Sequence, residues 1–513
     1  MSSICVKQGQ KSAILYAEKG HDLLEILRRN GFNVTAPCGG KGRCGKCEVR
    51  LIQDGVEKTV LACRTEIEGD CTVIIPESGS GGVIQTEGAE YSPDFSRREG
   101  LGAAVDIGTT TVVLRLFDLE SGRELGSRSG WNAQGPYCAD VLSRTQYIME
   151  HPDGLELLSG LVRKQVFTML RELCIELELN AGRVREMFIA GNTIMQHIFA
   201  GISPASIALA PFTPESLFDD GKPMTIDGVD VYMAPCTAGY VGGDITAGLL
   251  ASRISERHDR ALFLDIGTNG EMALGGRDGF VSCAVACGPA FEGAGISCGM
   301  TSTPGAISHV DWADGEFKLT VIGDCTPKGI CGSGLIDLMA VLLRLGLVDE
   351  SGLLLNPDEA PEGFETWLDE DENGNGLLFL TVDDSVYFTA ADVRQLQLAK
   401  AAVAAGISVL MGEGGLSFDD IEALYIAGGF GSHMRAESAV EMGMLPEALL
   451  DKTVGVGNAS LSGATEALLS LERRKALFAL QKGCGYLELS GNEAFNAAYP
   501  AHMSFDKEEI EWN

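Results

Sequence analysis

Four cysteines near the start of the chain have the spacing of a thiolate metal site. Cys38, Cys44, Cys47 and Cys63 read C-x5-C-x2-C-x15-C, and three of them lie in PCGGKGRCGKC (37–47). Gly39, Gly40, Gly42 and Gly45 let the backbone between them turn its N–H groups toward bound sulfide. The plant-type 2Fe–2S spacing is C-x4-C-x2-C with a distant fourth cysteine, so this is a one-residue variant of it. Four thiolates would also suit a structural zinc. Zinc ribbons favour paired C-x2-C knuckles, however, and here only Cys44 and Cys47 form one. Iron is the expectation and zinc the alternative. Cys71 is the fallback fourth ligand, with Cys63 better placed after an apolar strand.

A second chemistry is written in two hairpins. In LGAAVDIGTTTVVLRLFD, Asp106 ends an apolar run, Gly108 permits a tight turn, and Thr109, Thr110 and Thr111 offer hydroxyls and N–H groups. LFLDIGTNGEMAL repeats the design with Asp265, Gly267, Thr268, Asn269, Gly270 and Glu271. Donors for phosphate oxygens beside a carboxylate for a hydrated cation are what a nucleotide and its Mg2+ require. Asp244 in GYVGGDITAG reads either as a ligand for magnesium or the attacking water, or as a helix N-cap. Gly332, Ser333 and Gly334 in GICGSG open a helix and are candidates to meet phosphate. Glu292, Asn192 and His197 have undecided roles, and a lone histidine on an apolar helix is more often a core residue. DEDENGNG (369–376) has Leu380 where a calcium loop needs its bidentate glutamate, so it reads as an acidic hairpin tip.

Elements that could position these residues follow from periodicity. SSICVKQ and SAILYAE form a strand pair, HDLLEILRRNG a short helix, and CEVRLIQ and CTVIIP further strands. Residues 1–76 thus outline a β-grasp domain carrying the cysteine loop. Residues 77–100, rich in Gly, Ser, Glu and Pro, read as a linker. Beyond it the pattern is strand, turn, helix: a long amphipathic helix in 155–179, a strand entering a helix in MFIAGNTIMQHIF, another long helix in TAADVRQLQLAKAAVAAGISVLM, and a strand entering a glycine loop in IEALYIAGGFG. The echo of the two hairpins predicts two similar halves, 101–258 and 259–513, around a cleft.

Bulk properties narrow the setting. At 513 residues the chain needs several domains. A formal net charge of −33 argues against nucleic acid and anionic membrane surfaces as partners. The first residues carry no basic stretch followed by an apolar core, and the longest uncharged apolar run is too short to span a bilayer, so a cytoplasmic location is expected. Fifteen cysteines in that compartment are not a disulfide framework. Scattered ones such as Cys138, Cys174, Cys236 and Cys325 read as small core residues.

Two DIGT hairpins followed by YIAGGFG (425–431) resemble the actin, sugar-kinase and Hsp70 superfamily. That resemblance implies a two-lobed, ribonuclease H-like α/β fold holding ATP in its cleft, with Gly428 and Gly429 against the adenosine. WNAQGPYCADVLSR, IAGNTIMQHIF, AGYVGGDITAGLL, CGPAFEGAGISCGM, GICGSGLIDLMA and LAKAAVAAG narrow it. Together with the cysteine loop they are similar to the ATP-dependent reductive activators of corrinoid proteins, which join a 2Fe–2S ferredoxin domain to such an ATPase. The resemblance implies Asp106, Asp265 and Asp244 as catalytic carboxylates, a 2Fe–2S cluster, ATP and Mg2+ as cofactors, and a corrinoid methyl carrier as partner. The activity implied is one-electron reduction of inactive Co(II) to Co(I), fed by an upstream low-potential donor; a homodimer is compatible with it. A plant-type cluster sits near roughly −400 mV, so the step is uphill and needs ATP. Alternatives are activation of another low-potential metalloenzyme, and a non-redox, ATP-gated binding module with a structural zinc.

Overall fold

The computed structural model describes residues 2–9, 11–32, 34, 36, 40, 42, 47–53, 55–76, 96–431, 433–506 and 512. Cys38 and Cys44 lie outside them, as do residues 77–95 of the expected linker.

The first unit is a five-stranded sheet with one helix across it. Strands β1 (Ser2–Gln8) and β2 (Lys11–Ala17) form the expected hairpin, followed by helix α1 (Leu23–Arg29). Then come β3 (Glu48–Gln53), β4 (Val56–Leu61) and β5 (Cys71–Ile74), in spatial order β2-β1-β5-β3-β4. β4 is the strand expected just before Cys63, though VEKTVL is mostly exposed at the sheet edge and shows little apolar alternation. The Asp22 carboxylate caps α1 by accepting from the Glu25 N–H. Leu23, Leu24, Ile26 and Leu27 seat that helix on Ile4, Val6, Val49 and Val73.

Residues 96–100 are tied to the next unit: the Ser96 N–H donates to the Leu469 carbonyl and the Arg98 N–H to the Leu119 carbonyl. That unit is a six-stranded sheet of β6 (Leu101–Ile107), β7 (Thr111–Asp118), β8 (Glu124–Trp131), β9 (Val184–Ala190), β10 (Met224–Ile226) and β11 (Val229–Met233). Helices α2 (Val141–Glu150), α3 (Gly154–Glu176), α4 (Thr193–Ala200), α5 (Gly243–Ser252) and α6 (Ile254–Arg257) accompany it. Central β6 is apolar almost throughout because it has neighbours on both sides: β7 antiparallel and β9 parallel.

The other lobe repeats the arrangement. β12 (Ala261–Ile266), β13 (Gly270–Gly276) and β14 (Gly279–Val285) form an antiparallel meander as β6, β7 and β8 do. β21 (Ala423–Ala427) lies parallel to β12 as β9 lies to β6, and β22 (Thr453–Gly457) follows β21 as β11 follows β9. Within the second repeat, between β14 and β21, are inserted β15 (Ala306–Ala313), β16 (Glu316–Val321), β17 (Gly329–Ile330), α7 (Gly332–Leu345), β18 (Leu368–Glu370), β19 (Gly376–Phe379), β20 (Tyr387–Thr389) and α8 (Ala390–Gly414). Short α9 (Gly428–Gly431) and α10 (Ala436–Glu441) precede β22, and α11 (Ala459–Leu469), α12 (Leu471–Lys482), β23 (Cys484–Tyr486) and α13 (Glu493–Ala501) end the fold. The acidic stretch 369–376 is the β18–β19 hairpin tip, where Asp371 accepts from the Asn373 and Asn375 N–H groups.

Helix α8 is long and apolar enough to cross a membrane, but 83% of its most apolar window is buried inside the protein. Among the scattered cysteines, Cys138, Cys174 and Cys236 are buried as expected; Cys325 is exposed, in a turn after β16.

A division by chain order at residue 258 is not the division in space. Helix α5, at the end of the first repeat, packs Ile245 and Leu249 with Phe263 and Tyr425 of the second sheet. Helix α11, at the end of the second, packs Leu461, Ala464 and Leu468 with Ala104 and Phe188 of the first. The two helices touch backbone to backbone: a Cβ on Gly463 would lie 2.0 Å from the Ala247 carbonyl. Each half therefore sends one helix against the other's sheet, and Asp106, bonded by Ser460 of α11, and Asp244 of α5 lie at that helix pair.

Candidate nucleotide cleft and cluster site

Both DIGT hairpins deliver their carboxylates to one place. Asp106 is near the end of β6 and Asp265 near the end of β12; Glu271 is directly across the ladder from Asp265. Asp244 joins them from the first turn of α5. It is not the N-cap, which is Gly242; its Oδ1 accepts from the Ile245 N–H at 2.9 Å. Burial pushes the Asp265 carboxyl up to about 7, and the neighbouring Asp106 adds to it. Burial, with Asp265 and Asp106, pushes Asp244 up to about 8. Glu271 is held well above its ordinary value by burial, then by Asp244 and Asp265. Asp106 is raised by burial and held back by two donors. Like charges so placed call for a cation. Among the described residues no three side chains converge closely enough to ligate one ion directly. That suits Mg2+, which keeps most of its water and takes one or two carboxylates beside the phosphates of its nucleotide.

The hairpin tips are shaped for close approach. A Cβ on Gly267 would meet nothing nearer than 3.8 Å, and the residue has no left-handed backbone, so the space over it is open for a ligand. Gly428 is different: its φ is +88°, and a Cβ there would sit 2.7 Å from Asp265 Oδ1. The turn at the end of β21 is thus pressed against the carboxylate, with Gly429 exposed beyond it. Gly108 is required by the turn, where a Cβ would lie 2.8 Å from the Thr111 carbonyl. Gly270 is a packing glycine against Cys287 and Val285. The Thr268 hydroxyl donates to Glu292 Oε2 at 2.8 Å, drawing Glu292 into the second hairpin. The Asn269 side chain hydrogen-bonds Glu271.

Sequence reading missed several residues that build the first hairpin. Asn458 Nδ2 donates to Asp106 Oδ2 at 2.8 Å, and the Ser460 hydroxyl to Oδ1 at 2.9 Å, both from the start of α11. Asn132 donates through its N–H to the Thr110 carbonyl and through Nδ2 to the Gly108 carbonyl, each at 2.8 Å. Buried Arg144 donates to the Thr109 carbonyl at 2.6 Å. Asn192 caps α4 and donates to the Thr109 hydroxyl at 3.1 Å, which gives it a place in the site. His197 has none: it is fully buried, with Nδ1 on the Thr193 carbonyl and Nε2 accepting from the Ser216 N–H. In GICGSG the Ser333 hydroxyl is used by the Ser308 carbonyl, and Gly334 is needed because a Cβ would lie 2.2 Å from the Ile307 carbonyl. Gly332 is buried with them at the first turn of α7. Packing accounts for two of these three.

In the first unit, Cys47 Sγ and Cys63 Sγ stand 3.2 Å apart and are not joined in a disulfide. Cys63 is in the short 3-10 turn that follows β4, and Cys47 immediately precedes β3; their carbonyl and amide neighbours are joined by the Ala62 N–H to Cys47 carbonyl bond. Gly40, at φ +84°, passes within reach, since a Cβ on it would lie 3.8 Å from Cys63 Cβ. Two converging thiols with a glycine loop against one of them fit thiolate ligation of a cluster. Cys71 is elsewhere, lining a surface hollow with Ser3, Cys5 and Asp70.

Comparison with known proteins agrees with this geometry. Residues 6–68 match the 2Fe–2S iron–sulfur cluster binding domain, 101–257 the RACo middle region, and 259–513 the C-terminal ASKHA domain of RACo. The chain is 29% identical to the corrinoid activation enzyme RamQ of Eubacterium limosum, over 94% of this chain and 95% of that one. It is 24% identical to the [Co(II) methylated amine-specific corrinoid protein] reductase of Methanosarcina barkeri, over 79% and 77%. The solved structure of a reductive activator for corrinoid, iron–sulfur protein superposes with a TM-score of 0.69 at 29% identity, covering 98% of both chains. A 2Fe–2S cluster, ATP and Mg2+ are accordingly the cofactors. With all three segments matched in order, the chain belongs to the RACo family of ATP-dependent reductive activators of corrinoid proteins.

Proposed function

We propose that this protein uses ATP to drive one electron from its 2Fe–2S cluster onto the Co(II) form of a corrinoid protein in a methyltransferase system, restoring Co(I). The observation that carries the reading is the joining, in one chain, of a converging thiolate pair with a doubled phosphate hairpin whose carboxylates repel one another. When bound, the cluster supplies a single low-potential electron. Cys38, Cys44, Cys47 and Cys63 hold it. Asp265, Asp244 and Asp106 position hydrated Mg2+ and the attacking water, with Glu271 beside them. Gly108 to Thr111 and Gly267 to Gly270 face the phosphates through backbone N–H groups and hydroxyls, and Gly428 and Gly429 adjoin the adenosine. Gly332, Ser333 and Gly334 shape the cleft wall.

The exchanged helices α5 and α11 explain how such a cleft does work. Closing the lobes on nucleotide must shift two helices packed in both cores, and packed helices move between discrete arrangements rather than deform continuously. Hydrolysis then alternates two states of the surface offered to the partner. A cytoplasmic location, an upstream low-potential donor, and the absence of nucleic-acid or membrane partners complete the reading; the strongly acidic surface supports the last.

The test is anaerobic. Cluster-loaded protein, excess reductant and a Co(II) corrinoid protein should give the Co(I) absorption band only when Mg·ATP is added. Co(I) formed equally fast without ATP would overturn the proposal.

A further inference from the structure

One charged side chain lies at the junction of the cluster unit and the nucleotide-binding lobe without a partner that explains it. Arg28, in the last turn of α1, points away from the core that holds Leu23, Leu24, Ile26 and Leu27. Its guanidinium carbon lies 5.2 Å from the centre of the Tyr137 ring, across the junction. Its Nε and Nη2 are buried, with no hydrogen-bond partner among the described residues. Burial acts on its charge first; the groups that follow are Cys138, Tyr137, Tyr147 and Cys47, none of them a carboxylate. The aromatic face offsets only a fraction of the cost of burying unpaired charged donors. A buried polar group left so calls for an explanation. The cluster site supplies one: α1 packs against it, since a Cβ on Gly40 would lie 3.2 Å from Leu24 Cδ2 and 3.8 Å from Cys63 Cβ, and a cluster ligated by four thiolates would be anionic, with Arg28 a cation one turn further along that helix.

Tyr137 and Cys138 belong to a strap, residues 132–140, that runs from β8 to α2. Its far end is fastened to the first phosphate hairpin by the two Asn132 bonds to the Thr110 and Gly108 carbonyls. Its near end is fastened by Arg144, whose guanidinium donates to the Thr109 carbonyl at 2.6 Å and to the Cys138 carbonyl at 3.4 Å. Gln134 pins the middle to the Leu158 carbonyl at 2.9 Å. A shift of the hairpin when phosphate enters is therefore passed to Tyr137 and Cys138, and across them to Arg28.

We infer that Arg28 is a positioning residue that ties the surroundings of the cluster to the occupancy of the nucleotide cleft, through the 132–144 strap. The inference rests on the cluster being at Cys47 and Cys63, and not on what the protein reduces.

The test poises cluster-loaded, full-length protein at a fixed potential with no corrinoid present, and reads the reduced fraction by EPR. The probes are Mg·ADP and the Mg complex of a β,γ-imido ATP analogue. In the unaltered protein, nucleotide should change the ratio of reduced to oxidised cluster at least about threefold. In Arg28→Gln that response should vanish, and without nucleotide the ratio should fall about tenfold, equivalent to ~59 mV for one electron, because a neighbouring positive charge is gone. Arg28→Lys should keep the charge effect and recover part of the response. Tyr137→Leu, across the junction and away from the cluster, should lose the response while its nucleotide-free ratio stays near that of the unaltered protein. A nucleotide response in Arg28→Gln or Tyr137→Leu as large as that of the unaltered protein, or none in the unaltered protein, overturns the inference. A failed Co(I) assay would leave it untouched.

Discussion

Replacing Asp265 by Asn should stabilise the empty protein in mild alkali and weaken its hold on Mg·ATP. Asp265 shares a buried cluster with Asp106, Asp244 and Glu271, and its carboxyl is pushed up to about 7. The folded state therefore holds protons that the unfolded chain releases near pH 4, so stability is full below that value and is lost as pH rises through about 7 to 8. For one carboxyl moved from 3.8 to about 7, proton affinity rises about a thousandfold. That is on the order of 2–4 kcal/mol against the folded state at pH 8, once residual hydration is allowed for. Asn keeps the shape and removes the charge. Scanning calorimetry of the nucleotide-free protein should show the variant melting above the unaltered protein at pH 8, with the gap narrowing at pH 5 and closing near pH 4. Entry of the cation requires the proton to leave. Titration calorimetry of the unaltered protein should then show Mg·ATP affinity climbing about tenfold from pH 6 to pH 8, with net proton release. The variant should bind at least about tenfold more weakly, with a flatter pH profile. A variant that is less stable at pH 8, or a wild-type affinity that is level or falls with pH, would refute the reasoning.

Gly267→Ala should leave stability within about 0.5 kcal/mol, because the added methyl meets no protein atom nearer than 3.8 Å, yet lower nucleotide affinity by filling the space over the hairpin; thermal melts and nucleotide titrations check both halves. Cys63→Ala should abolish the visible and EPR signature of the cluster, whereas Cys71→Ala should keep its iron content and spectrum. Arg144→Met should lose about 2–4 kcal/mol, since the Thr109 and Cys138 carbonyls lose a buried donor, and should also loosen the first hairpin, seen as faster amide exchange at residues 108–111. His197→Phe should reduce stability but leave kcat for ATP unchanged in whatever folded protein remains, because His197 serves the core and not the cleft.

The parts of the site that could be read from sequence are those whose chemistry is local. A DIGT turn carries its carboxylate, its tight glycine and its hydroxyls within six residues, and two such turns announce the repeat. Asn458 and Ser460 could not be read this way: they reach Asp106 from 352 and 354 residues along the chain, and only the helix exchange brings them there. GNAS before an apolar helix is the signal they left, and it reads equally well as an ordinary N-cap, which Asn458 also is. Arg144 stands within WNAQGPYCADVLSR, but nothing local in that stretch tells that its guanidinium turns inward to the Thr109 carbonyl. GICGSG is ambiguous in sequence, because glycines needed for close backbone packing, as Gly334 is, look the same as glycines that cradle phosphate.

Stopped-flow mixing most directly tests the claim that phosphate-bond energy moves an electron from this cluster to cobalt. Pre-reduced protein, freed of excess reductant, is mixed anaerobically with a Co(II) corrinoid protein, with and without Mg·ATP, while cluster and cobalt bands are followed together. The account predicts that cluster oxidation and Co(I) appearance share one rate and one-to-one amplitudes, with Mg·ATP required. Cobalt reduction without matching cluster oxidation, or at the same rate without nucleotide, would contradict it.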